Sequence, residues 1–115
     1  MRLASTNKME EATSIKIVVH ASADLAEIVP PYLENRRRDI AGADLFGACP
    51  DLELARSLGH KMKGTGTSFG LTEVSRLGAE LEAAAKRGDA SAVRSVATAL
   101  ATYLRNVEVV CDAAA

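Results

Sequence analysis

The chain is poor in the residues that build sheets, staples and membrane anchors. Tryptophan is absent, and phenylalanine and tyrosine occur twice each, so aromatics are scarce. Proline occurs three times, and alanine and leucine are abundant, a balance that favours helices over strands. The two cysteines, Cys49 and Cys111, are far apart and lack metal-ligand spacing; we expect free thiols in a reducing compartment. Neither sign of charge dominates: 14 basic and 15 acidic residues leave a formal net charge of −1. Global electrostatics therefore give no reason to bind nucleic acid or a membrane surface. No apolar run approaches the roughly 20 residues of a membrane span, and the N-terminal MRLASTNKMEEATS lacks the apolar stretch of a secretory signal. A cytoplasmic protein is expected.

What remains, 115 residues of which about half are apolar, suits one domain with a modest core. Residues Met1 to Ser14 are polar and unpatterned, and a mobile tail is expected there. Ile15 to Val19 has strand propensity but no evident partner strand, so it reads as an extended arm packed on the body. Ser22 or Asp24 can cap a short leading helix at Leu25. Pro30-Pro31 suits the first turn of a helix running through Tyr32, Leu33, Ile40 and Leu45 to about Gly47. Arg36-Arg37-Arg38 within it reads as a solvated face, or else as a dock for an acidic partner.

A third segment from Pro50 to Phe69 carries Leu52, Ala55, Leu58, Met62 and Phe69 at helical spacing, and Gly70 is a suitable stop. Thr72 can cap a helix with the stripe Val74, Leu77, Gly78, Leu81 and Ala85. Gly88-Asp89 ends it and caps a last helix with Val93, Val96, Leu100, Leu104 and Val107 on one face. Short connections make neighbouring helices antiparallel. The expected fold is all-α: an up-down-up-down four-helix bundle over residues 20–110, with a short extra N-terminal helix and an N-terminal tail and arm over residues 1–19.

One stretch breaks the helical grammar. Gly59-His-Lys-Met-Lys-Gly-Thr-Gly66 places three glycines around a histidine, although glycine is about 1 kcal/mol worse than alanine inside a helix. At about 100° per residue, Leu58, Met62 and Phe69 fall opposite His60, so the histidine stands on the exposed face. Arg56 and Ser57 lie one turn before it, Lys63 and Gly64 one turn after, and Thr67 two turns on. A neutral imidazole is a competent nucleophile, and with a reference pKa of about 6.5 an exposed one is largely neutral at about pH 7.5.

This constellation suits a phosphoryl acceptor. Lys63, with Arg56 as a second cation, is placed to stabilise the added negative charge. Gly64 leaves room beside the ring for a partner's active site. Gly66 projects toward the core and is read as a packing glycine. Ser57 and Thr67 either hydrogen-bond the phosphate or are small polar surface residues. Lys61, about 100° from His60, is a solvated lysine or a docking aid. His20 reads as an ordinary surface or packing residue.

His60-x-Met62-Lys63-Gly64 followed by Phe69-Gly70-Leu71 resembles the H-x-L-K-G signature of histidine phosphotransfer (HPt) domains. Leu81-Glu82 and Gly88-Asp89 also match that family, as does Val29-Pro30-Pro31-Tyr32-Leu33-Glu34-Asn35 at the start of a long helix. The likeness runs from about Leu25 to Leu104. Its departures are mild: Met62 for leucine, Gly59 where alanine is common, and Thr65 where serine or alanine is frequent.

The resemblance implies a four-helix bundle that relays a phosphoryl group between receiver-domain aspartates of response regulators and hybrid histidine kinases. His60 would be the phosphoacceptor, Lys63 the phosphate-stabilising lysine and Gly64 the access glycine. It implies a phosphocarrier without kinase activity of its own and without a cofactor, Mg²⁺ being supplied by the receiver. Receiver binding would be transient, with apolar contacts from the second and third helices.

Three other readings compete with this one. A metal site needs further ligands converging on His60; Glu53 is two turns away and the nearest neighbours are cationic. A nucleophilic enzyme built on Ser57 and His60 lacks an evident buried carboxylate to orient the ring, and a pocket. A bundle that serves only as an interaction module has little reason to keep Gly64 beside an exposed histidine. With no large apolar surface left over in the sequence, a monomer without nucleic-acid or membrane partners is expected, although either cysteine could link two copies.

Overall fold

A computed structural model describes residues 16–112, and the expected N-terminal tail lies outside them. Four helices dominate: α1 (Val29–Ala41), α2 (Leu52–Thr65), α3 (Thr72–Lys86) and α4 (Ala90–Asn106). Neighbouring helices run antiparallel. Tyr32 meets Thr65 while Asp39 meets Lys61, which sets α1 against α2. Gly59 lies against Glu82 while Gly66 lies against Ser75, which sets α2 against α3.

The predicted stripes form the core. Ala55, Leu58 and Met62 of α2 are buried, as are Val74, Leu77, Leu81 and Ala85 of α3 and Val93, Ala97, Leu100 and Leu104 of α4. Each fully buried large aliphatic side chain contributes about 1.5–3 kcal/mol by leaving water.

Local signals explain several helix ends. The Asp51 carboxylate accepts from the Leu54 amide at 3.0 Å, and Asp89 accepts from Ala92 at 3.0 Å. Each satisfies an amide that the first turn leaves without an intrahelical partner. Gly88 adopts φ 72° and Gly70 φ 78°, the left-handed conformation that glycine reaches without a Cβ clash. Thr72 does not cap α3: it is the first helical residue, and the cap position falls to Leu71, which offers no side-chain acceptor.

Four further expectations are corrected. α1 stops at Ala41, before Gly42, and not near Gly47; Leu45 is fully buried from the following loop, so its apolar character reflects an anchored loop and not a longer helix. α2 ends at Thr65, and residues Thr67–Phe69 form a separate 3-10 turn. The leading helix is only a three-residue 3-10 turn, Ala23–Leu25, in which Ser22 Oγ accepts from the Asp24 amide at 3.2 Å.

The fourth correction concerns both ends of the fold. Ile17–Ser22 (β1) does have a partner: Val107–Asp112 (β2), in parallel, with Ile17 opposite Val107 and Ser22 opposite Asp112. Val107 is buried, as its place in the α4 stripe required, but it opens a strand. Its run Val-Glu-Val-Val is rich in the β-branched residues that favour extended backbone.

Candidate functional site

His60 sits in the middle of α2 with its side chain 69% exposed, on the face that the helical period predicts. Its surroundings come from α3. The Glu82 side chain is only 7% exposed and meets three cationic or titratable groups. His60 Nδ1 lies 3.0 Å from Oε2, Lys63 Nζ lies 2.8 Å from Oε1, and Lys86 Nζ lies 3.5 Å from Oε2.

The absence of a carboxylate behind the ring was therefore a wrong expectation: Glu82 is that carboxylate. Its position, flanked by Gly78, Leu81 and Ala85 on the buried face of α3, was the available signal. A lone acid inside an apolar stripe needs partners.

Glycines bring the two helices together. A Cβ on Gly59 would lie 2.5 Å from the Glu82 amide nitrogen and 2.6 Å from the Gly78 carbonyl. A Cβ on Gly78 would lie 2.7 Å from the Lys63 amide nitrogen. All three distances are below any tolerable carbon contact, so the backbones touch only because neither position has a side chain. Gly66 packs in the same way, against Ser75 and Leu71, as its projection predicted. Gly64 differs: a Cβ there would meet nothing within 4 Å. Nothing among the described residues requires this glycine.

Electrostatics fix the state of the carboxylate. The hydrogen bond from Lys63 is the largest influence on Glu82; burial opposes it, and the His60 hydrogen bond and the charges of Lys63 and Lys86 add to it. Together they pull the Glu82 pKa from its ordinary 4.5 to about 2. At neutral pH Glu82 is thus ionised and can only accept. His60 Nδ1 must carry the proton of their hydrogen bond, which leaves the lone pair of the neutral ring on Nε2. Glu82 fixes both the tautomer and the ring orientation, as carboxylates behind functional histidines do.

The other predicted residues fall around this centre unequally. Lys63 is adjacent but bound to Glu82. Arg56 pairs with Glu53 at 2.5 Å, and Ser57 is exposed one turn before His60. Lys61 reaches away toward Asp39 of α1, at 3.7 Å. Thr67 lies beyond the end of α2, where its amide and hydroxyl both donate to Ser75 Oγ, at 2.8 and 3.0 Å. The helical count that placed it beside His60 does not apply there.

The arginine run does not form a uniform solvated face. Arg36 lies over the Tyr32 ring and pairs with Asp39. Arg37 Nε donates to the Leu104 carbonyl at 2.8 Å. Only Arg38 is exposed, with Glu34 and Asn35 as partners. His20 is exposed on β1, opposite Val110. Both cysteines are free thiols. Among the described residues no group of three or more His, Cys, Asp and Glu side chains could hold a metal ion, and no helix is long and apolar enough to cross a membrane.

No curated protein and no solved structure matches the chain. The family model for the Hpt domain matches residues 22–109. That span covers all four helices, both glycine-packed faces and the His60–Glu82 pair, and the chain belongs to the Hpt family, the histidine phosphotransfer domains of phosphorelays.

Proposed function

We propose that this protein accepts a phosphoryl group on His60 from a receiver-domain aspartyl phosphate and passes it to a second receiver aspartate. The observation that carries this reading is the His60 ring, with its Nδ1 held by Glu82 and its other nitrogen on an exposed face. The Nε2 lone pair attacks phosphorus. A P–N bond forms as the P–O bond to the aspartate breaks, and the aspartate carboxylate leaves with the electron pair. The ring then carries positive charge, which the adjacent Glu82 carboxylate stabilises. The return step is the reverse, with a carboxylate oxygen as nucleophile and Nε2 as leaving group.

Lys63 contributes a mobile ammonium with three donors. It anchors Glu82 before transfer, and it lies one turn from His60, within reach of a phosphoryl oxygen on Nε2. Gly64 serves access, since its missing side chain relieves no crowding among the described residues. Arg56 and Ser57 line the approach as a peripheral cation and a small polar residue. Mg²⁺ belongs on the receiver partner. The partners are receiver domains of response regulators or hybrid kinases, the protein acts as a monomeric cytoplasmic carrier, and the bundle over residues 20–110 is the working unit.

The test is transfer from a labelled phospho-receiver to the wild-type chain and to His60→Gln. Acid-labile, base-stable label on the wild type alone supports the reading. Equal labelling of the variant, or no labelling from any of a broad receiver panel, leaves the alternative of a bundle that binds receiver or kinase domains without carrying phosphate.

A further inference from the structure

Away from the histidine, α1, the loop after it and α4 enclose a second feature. A groove of about 320 Å³ is lined by Ile40, Phe46, Ala101 and Leu104, with Arg37 and Arg105 as its charged members. Its volume falls within the range of binding sites, about 300–1,000 Å³. None of its residues comes from α2 or α3, which carry His60 and Glu82. Phe46 is 44% exposed, a large apolar side chain left in water at the groove.

The charge at the groove is of one sign. No acid lines it. Arg37 is fixed by its bond to the Leu104 carbonyl, which leaves the two terminal nitrogens of its guanidinium for other partners. Neither Arg37 nor Arg105 forms an ion pair among the described residues. The other arginines of helices α1 to α3, namely Arg36, Arg38, Arg56 and Arg76, each have a carboxylate. Exposed aromatic and unpaired arginine side chains around an apolar floor make up the composition enriched in protein interfaces.

We propose that this groove docks an acidic amphipathic helix of a partner protein, with apolar side chains at i, i+3 and i+4 seated against Phe46, Ala41 and Ala101, over a floor of buried Ile40 and Leu104, and carboxylates meeting Arg37 and Arg105. Because it uses α1 and α4, such docking leaves His60 open to a receiver. The proposal does not depend on the reading of His60.

The test is an NMR titration of the isotope-labelled full chain with two synthetic helical peptides. One carries leucine at i, i+3, i+4 and i+7 with glutamate between; the other has lysine for every glutamate. The expected result is saturable shifts at Phe46, Ala101 and Leu104 with the glutamate peptide only. Phe46→Ala and Arg105→Glu, both changes at exposed positions, should each weaken binding by about tenfold, the effect of losing an interface anchor. Equal response to both peptides, shifts centred on His60 and Glu82, or no shifts at millimolar peptide would overturn it. So would a groove already filled without peptide, either by a second copy, seen as shifts on dilution, or by residues 1–15, seen as nuclear Overhauser contacts to Phe46.

Discussion

Glu82 Oε2 lies 3.0 Å from His60 Nδ1 while Lys63 holds the other oxygen of the same carboxylate at 2.8 Å. One buried acid on α3 thus sets the tautomer of the histidine and the resting place of the lysine. Glu82→Ala should slow phosphoryl transfer by about ten- to a hundredfold, the usual cost of removing the partner that orients a functional histidine. Imidazole ¹⁵N shifts provide the second readout. The wild type should show a protonated Nδ1 and an unprotonated Nε2, and the variant a mixture of tautomers. Unchanged tautomer populations would remove Glu82 from the mechanism.

The same carboxylate makes stability depend on pH in a defined window. Its pKa is about 2 in the folded protein against an ordinary 4.5, so the unfolded chain binds the proton more tightly. The stabilisation is fully present above about pH 4.5 and is lost as pH falls from there toward 2. Urea unfolding of the wild type across this range should show the decline, and Glu82→Gln should flatten the part that Glu82 contributes.

Gly59, directly before His60, and Gly64, four residues after it, should respond oppositely to alanine. Gly59→Ala pushes a methyl group into the α3 backbone and should destabilise the protein by about 1–3 kcal/mol, the range for overpacking. Gly64→Ala enters open space and should stabilise it by about 0.5–1 kcal/mol through helix propensity, yet slow transfer from a receiver. Thermal melts of both variants, with transfer assays on Gly64→Ala, check the pair. A destabilised Gly64→Ala with unimpaired transfer would contradict the access role.

Tyr32 ties α1 to the end of α2. Its hydroxyl lies 2.7 Å from Thr65 Oγ1, and its ring stacks on Phe69 at 4.1 Å. Tyr32→Phe keeps the stack and loses the hydrogen bond, so it should cost about 0.5–1.5 kcal/mol in chemical unfolding and leave the transfer rate unchanged. Thr65 keeps its bond to the Lys61 carbonyl, which limits the loss.

The helices and the exposure of His60 were legible because both depend on local periodicity and caps: Gly88 and Asp89 act where their chemistry predicts, while Gly70 closes a 3-10 turn and not the helix it was expected to stop. Glu82 was not legible as a partner of His60, because the register between two helices is set by packing across 22 residues of sequence and not by either helix alone. The glycines held the missing clue, since Gly59 and Gly78 mark where the two backbones touch. The β1–β2 pair joins opposite ends of the fold, and no local pattern shows that a strand-forming segment has found a parallel partner some 90 residues on. The lengths of α1 and α2 were overestimated for a related reason: Leu45 and Phe69 continue the apolar pattern from a loop and a 3-10 turn.

The most direct test of the account is to phosphorylate the chain from a phospho-receiver and identify the modified atom by ¹H–¹⁵N–³¹P NMR under basic conditions. The account predicts phosphorus coupled to Nε2 of His60, with Nδ1 still hydrogen-bonded to Glu82. Phosphorus on Nδ1, or on any residue other than His60, would contradict it.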